Sequence, residues 1–245
     1  GFDVITTTFA PFQTMRCLEQ IKVNLGYMKK KITMVGLASG LILGPLGFTH
    51  CSIEDNSVMR SIPNIAVINP CDGSEVAKAI HASLKYENSV YIRLTGGPGG
   101  GMVYDNDYEF KIGEPIKIHD GDDGVVFSTG AITFNCLKAV REISSNNKIN
   151  LSLINIHTLK PINEEKILRY IKPNTKIFSF EEHSRIGGLS TIISEIIVKN
   201  KLKLKSYDSF AINDEYSNSG SYQYMLDKNL LSFEKILKTL NSNFT

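Results

Sequence analysis

The sequence predicts an α/β fold: two consecutive three-layer domains, each a mostly parallel sheet covered by helices. Three observations predict it. Short β-branched runs alternate with longer segments of helical period. The alternation stops in a Gly- and Asp-rich stretch, 95–124, and restarts beyond it. The 245 residues, 42% hydrophobic and 21% charged, suffice for one large domain or two small ones.

The elements follow in order. FDVITTT (2–8) reads as a strand. FQTMRCLEQIKVNLGY (12–27) carries apolar residues at helical spacing and ends near Gly26. KITMVGLA (31–38) is a strand and IEDNSVMRS (53–61) a short helix. IAVINP (65–70) is a strand closed by Pro70. DGSEVAKAIHASLKY (72–86) is a helix whose Asp72 and Glu75 form a capping-box pattern. SVYIRL (89–94) is the next strand. The tract GGPGGG resembles no phosphate loop, since neither a Lys-Ser/Thr pair nor a helix start follows it, and reads as flexible linker. After the linker come a strand at 124–130, a helix at 131–145 and a strand at 149–157. Pro161 takes a first-turn position of a helix reaching about 171. TKIFSF (175–180) is a buried strand ending in Glu181-Glu182-His183. A helix at 187–200, one more strand and a helix at 222–240 finish the chain. The domains are expected over 1–104 and 118–245, without tandem repeats.

Composition excludes several function classes. A net charge of +2 suggests no nucleic-acid partner, and Lys29-Lys30-Lys31 reads as a solvated turn. The apolar run 35–48 is too short to span a membrane and is interrupted by glycine. No signal peptide precedes it. Cys17, Cys51, Cys71 and Cys136 have no C-x-x-C spacing and read as reduced thiols of a cytoplasmic protein. The chain runs from Gly1 straight into a strand with no initiator Met, so an upstream piece is expected.

Ligands of open parallel sheets gather beyond the carboxyl ends of the strands. Three such ends are unusual here. The first carries Phe9 and Phe12 at a strand-to-helix turn. The second enters the glycine-rich loop that stops at Thr49-His50. The third is Glu181-Glu182-His183. Taken singly, each has a plain structural account: ring packing, a helix cap, a strand end.

Together, in the order TFAPFQTMRCLEQIK, GFTHCSIEDNSVMRSIPN and EEHSRIGGL, they strongly resemble the C-terminal half of the transketolase family of thiamine diphosphate enzymes. The resemblance covers nearly the whole chain. It implies a pyrimidine-binding domain followed by a C-terminal domain that buttresses a dimer. It places Phe9, Phe12 and Met15 at the cofactor, where flat apolar groups suit an aminopyrimidine ring. It gives His50 a catalytic and substrate-binding role: an imidazole there can hydrogen-bond a developing alkoxide or shuttle its proton. The glycine-rich loop would roof the cofactor.

The departures from the family matter as much. The glutamate that activates the cofactor has no counterpart in this sequence. The diphosphate and its divalent metal (Mg) belong to a further domain, so a diphosphate-binding partner chain or domain is implied, in a homodimer or heterotetramer. Transketolases carry a histidine where this chain has Ala38, and a Glu-Asp pair where it has Pro45-Leu46. A phosphate-gripping arginine is expected near Gly96, whereas Arg93 matches a neighbouring strand position. With Ala38 and Leu46 at substrate-binding positions, a polyhydroxylated phosphosugar should be a poor substrate. The resemblance thus implies a β-type subunit that transfers a two-carbon ketol unit in carbohydrate metabolism. The alternatives are a decarboxylating relative, of the deoxyxylulose-phosphate synthase or keto-acid dehydrogenase β type, and a non-catalytic scaffold.

Overall fold

The computed structural model describes residues 1–96, 100–147 and 149–244. The first sheet opens with β1 (Ile5–Phe9), an edge strand with little burial, paired in parallel with β2 (Thr33–Leu37). Between them the chain is helical but broken. Pro11 opens α1 (Ala10–Gln13), a 3₁₀ turn covers Met15–Cys17, α2 spans Leu18–Gln20 and a π-helical stretch covers Ile21–Tyr27. One continuous helix is expected there from the apolar period. It breaks at Thr14, with φ −115° and ψ −86°; there the Thr14 N–H and Oγ1 both donate to Ala10 O, and Cys17 Sγ lies 3.2 Å from Gln13 O.

After β2 come a loop with a short 3₁₀ turn at Gly44–Leu46 and then α3 (Asp55–Ser61). Next are β3 (Ile65–Ile68), α4 (Gly73–Lys85) and β4 (Ser89–Arg93). Asp72 caps α4 by accepting from Glu75 N at 2.9 Å. The other half of the expected box is redirected, for Glu75 reaches Cys71 N instead of Asp72 N.

The segment after β4 is more structured than a linker. Residues 97–99 of GGPGGG lie outside the described residues. Further on, Val103 is buried and β5 (Ile116–His119) forms an antiparallel edge of the second sheet. β6 (Gly124–Thr129), α5 (Ile132–Asn147) and β7 (Leu151–Asn155) follow as expected. β8 (Thr158–Lys160) then leaves the second half and pairs antiparallel with β3. Pro161 lies before α6 (Glu164–Leu168), and Asn163 caps that helix, so Pro161 is not in its first turn. β9 (Lys176–Ser184) runs straight through Glu181-Glu182-His183. α7 (Leu189–Lys199) and β10 (Ser206–Ile212) follow. The expected last helix is two, α8 (Tyr222–Lys228) and α9 (Phe233–Ser242), parted where Leu230 takes φ +61°.

Two five-stranded sheets result, ordered β1-β2-β4-β3-β8 and β10-β9-β6-β7-β5 and parallel except at β8 and β5. Two α/β units are therefore present, but they share more than a tether. One apolar core runs from Met34, Met59 and Val67 of the first unit into Phe127, Ile154 and Leu189 of the second.

Candidate functional site

Register sets the site. Phe9 pairs with Leu37, so β1 and β2 end side by side. The chain leaving β1 turns into α1, and the chain leaving β2 enters the glycine-rich loop. That adjacency brings Phe9, Phe12 and His50 together. The two rings meet edge to face at 5.8 Å between centroids. The His50 imidazole is 5.5 Å from Phe12 and 6.3 Å from Phe9, again edge-on. Thr49 Oγ1 and His50 Nδ1 are 3.0 Å apart, which engages one ring nitrogen and leaves Nε2 for other partners. Phe9 and Met15 are each 38% exposed, although both are large apolar side chains.

The remaining expected positions fall outside this contact group. Ala38 is half-buried with φ +50° just after β2, and Leu46 is 56% exposed in the 3₁₀ turn. Neither shares a ring contact or side-chain hydrogen bond with Phe9, Phe12 or His50. Gly96 has φ +72° and open space where a side chain would stand. The roof expected of the loop packs largely on the second unit. Gly40, at φ +70°, lies so close to Glu182 that a Cβ would meet Oε1 at 2.3 Å. A Cβ on Gly44 would meet Gly220 O at 2.6 Å. Phe48 packs on Tyr216, with ring centroids 4.9 Å apart.

Glu181, Glu182 and His183 are not at the carboxyl-end crevice as expected. All three are buried between the two units. Glu182 Oε1 accepts from Leu41 N at 2.6 Å and Oε2 from Tyr222 OH at 2.7 Å. Glu181 accepts from Leu189 N and Ser190 N at the start of α7. Burial holds both carboxyls above the usual range, while these hydrogen bonds pull them down. Burial also pushes the His183 imidazole down to about 4, against the opposing pull of Asp55. Arg93 is committed here too. Its Nε donates to Asp55 Oδ2 at 2.8 Å, and Nη2 donates to Ser52 O and Glu182 O. It is therefore no substrate-facing arginine.

Sequence reasoning missed two features. Arg16 lies over the Phe12 ring at 3.9 Å and donates from Nη2 to Thr49 O at 3.1 Å. It stands in the stretch TFAPFQTMRCLEQIK, where the sequence gives it no role. Glu75 is fully buried and accepts from Tyr104 OH, Tyr108 OH and Asn155 Nδ2, joining α4 to the connecting segment and to β7. Its capping-box position gave no sign of that reach. Among the described residues, no group of three or more His, Cys, Asp or Glu is placed to hold a metal ion.

Two α/β units of this topology place a partly exposed aromatic pair against a histidine beyond two adjacent strand ends. Comparison with known proteins shows the family. Residues 1–97 match the model of the transketolase pyrimidine-binding domain, and residues 113–236 that of the transketolase C-terminal domain. The chain belongs to the transketolase family. It is 30% identical over 231 residues to one of the subunits of the apulose-4-phosphate transketolase of Phocaeicola vulgatus, covering 93% of this chain and 73% of that one. It is 30% identical to the 6-deoxy-6-sulfo-D-fructose transketolase subunit SqwH of a Clostridium species, covering 95% and 71% of the two chains. Among solved structures, a split-gene transketolase described as an inactive β4 tetramer superposes with a TM-score of 0.85 at 24% identity, over 97% of this chain and 75% of that one. The chain is thus the counterpart of transketolase C-terminal, β-type subunits.

Proposed function

We propose that this chain is the β-type subunit of a thiamine diphosphate-dependent transketolase that moves a two-carbon ketol unit from a ketose donor to an aldehyde acceptor. The observation that carries this reading is the partly exposed Phe9–Phe12–His50 group. Two partly exposed rings set edge to face leave apolar surface for a flat heterocycle, so the residues present fit an aminopyrimidine. Thiamine diphosphate, held by Phe9, Phe12 and Met15, would supply a nucleophilic carbon as the carrier for two-carbon transfer.

The chain's own residues have separate tasks. Phe9, Phe12 and the exposed Met15 bind and orient the pyrimidine and keep water from its faces. His50 turns Nε2 toward the donor's oxygens, while the contact at Nδ1 with Thr49 orients the ring. There it donates to the carbonyl oxygen as charge develops and takes a hydroxyl proton as the carbon–carbon bond breaks. Ala38 and Leu46 line the substrate side without offering hydrogen bonds. The relatives named for a phosphorylated and a sulfonated ketose support a ketose with an anionic end as the donor class.

The diphosphate and its Mg ion are assigned to a partner domain or chain. Phe2, Val4, Ile5, Val23 and Tyr27 are exposed apolar side chains on and beside the β1 edge, and they suit burial against such a partner. A homodimer or heterotetramer of this kind, with domains spanning 1–104 and 118–245, is the assembly we propose. No helix among the described residues is long and apolar enough to cross a membrane. The four cysteines are free, which suits a reducing cytoplasm.

The test is to tag this chain in its native cell, purify the complex and measure its bound thiamine diphosphate. The expected result is stoichiometric cofactor, with a reduced content on Phe12→Ala. A pure complex that neither contains nor takes up the cofactor would refute the reading.

A further inference from the structure

We infer that Arg16 is a positioning residue that holds the Phe12 ring and the His50 loop in one fixed relation. Its functional consequence rests on the thiamine reading above, whereas its geometry does not. Phe12 and Arg16 stand four residues apart on one face of the broken helix, so the guanidinium reaches back over the ring. The same guanidinium donates in its own plane to Thr49 O at 3.1 Å. Thr49 in turn contacts His50 Nδ1, and His50 N donates to Gly47 O at 3.0 Å. One side chain therefore touches the aromatic half of the group through its face and the histidine half through its edge.

Arginine suits this double duty. A planar guanidinium stacks on a ring and donates sideways at the same time, whereas a lysine ammonium is a point charge with no stacking face. Among the described residues no carboxylate forms an ion pair with Arg16, so its contacts are the ring and the carbonyl. The position has few substitutes. The rest of the loop is held by the second unit, through Leu41 N on Glu182 and through Phe48 on Tyr216. Neither contact fixes Thr49-His50 against Phe12. The two halves of the site belong to separate chain segments, and Arg16 is the hydrogen-bonded link between them.

The experiment compares Arg16→Met, which keeps the stem but loses the guanidinium, with Arg16→Lys. Arg16 is exposed, so both variants should fold, and the thermal midpoint checks this. In the 245-residue chain, proton NMR reads the Overhauser contact between the His50 and Phe12 rings and the ring-current shift of the imidazole protons. In the complex purified through this chain, steady-state kinetics read kcat and the cofactor's half-saturation. Arg16→Met should abolish the ring contact and lower kcat about 10- to 100-fold, the scale of a small misplacement of reacting groups. Cofactor half-saturation should move less than about threefold, and Arg16→Lys should restore part of both readouts. An unchanged ring contact in Arg16→Met overturns the inference. So does a lost contact with full turnover, in a complex that His50→Ala inactivates. A lost contact in a complex that His50→Ala leaves fully active would uphold the geometric link and instead refute the role given to His50.

Discussion

Arg93 at the end of β4 donates to Asp55 at the start of α3 across 2.8 Å, with both side chains buried. The same guanidinium reaches Glu182 O on β9, so one arginine pins both units together. Tyr91 OH adds a second donor to Asp55 Oδ2 at 2.7 Å. Removing one member of such a pair strands the other charge without water. Arg93→Met should therefore cost about 3–5 kcal/mol in urea unfolding, and Arg93→Met with Asp55→Asn should recover part of it. A loss near zero in the single variant would mean that water reaches the pair.

His183 makes stability depend on pH with a defined sign. Its folded imidazole stays neutral down to about pH 4, against 6.5 when unburied. As pH falls, the unfolded chain takes up the proton first. Stability is full above pH 6.5 and is lost between 6.5 and 4, by up to about 3 kcal/mol at 1.4 kcal/mol per unit. Glu181 and Glu182 are shifted upward and act in the opposite sense, and Glu181 and Asp55 each lie 4.0 Å from the imidazole, so the neutral, similarly polar Gln is the replacement that disturbs them least. His183→Gln should therefore lose less stability than wild type between pH 7 and 4.5. Equal losses would show that His183 does not carry the acid limb.

Phe12→Ala should weaken thiamine diphosphate binding to the complex by about 1–3 kcal/mol, the value of a buried aromatic contact. Calorimetric titration of the cofactor-stripped complex measures it. An affinity equal to wild type would leave Phe12 with a packing role only.

The alternation of strand and helix periods was enough to place most of the strands, because buried parallel strands such as Ile65–Ile68 and Ser89–Arg93 are built on short β-branched and apolar runs bounded by turns. Phe9, Phe12 and His50 could be singled out because they lie in the segments that leave two strand carboxyl ends, where topology gathers ligands, and because the motifs around them resemble the transketolase family. The failures share a cause. Glu181, Glu182 and His183 read as a polar strand end, and their burial depends on partners far away in sequence, such as Leu41 and Tyr222. β8 has only three residues and joins the other unit's sheet, a pairing no local period encodes. The break at Thr14 is a departure of one residue's backbone from helical angles, φ −115° and ψ −86°, which the apolar spacing does not encode.

In the proposed reading, Ala38, Leu46 and Gly96 stand where a transketolase would aim polar groups at a phosphosugar. Each missing hydrogen bond is worth about 1–3 kcal/mol, so their joint loss costs on the order of a thousandfold in specificity. The complex should use xylulose 5-phosphate with ribose 5-phosphate poorly, compared with ketoses that carry a different anionic end and with non-phosphorylated aldehydes. The ratio of kcat/KM values over such a panel decides. Efficient use of the ordinary pair would place phosphate and hydroxyl recognition on the partner.

The most direct measurement concerns His50. The complex is purified through this chain, loaded with thiamine diphosphate and Mg, and assayed for ketol transfer in single turnover, as wild type and as His50→Ala. The account predicts transfer that needs the cofactor, and a fall of about 10²–10⁴-fold in the variant, the range for losing a positioned acid–base group. Cofactor affinity should stay within a few-fold. Unchanged turnover in His50→Ala, or a variant that loses the cofactor but keeps its chemistry once saturated, would contradict it.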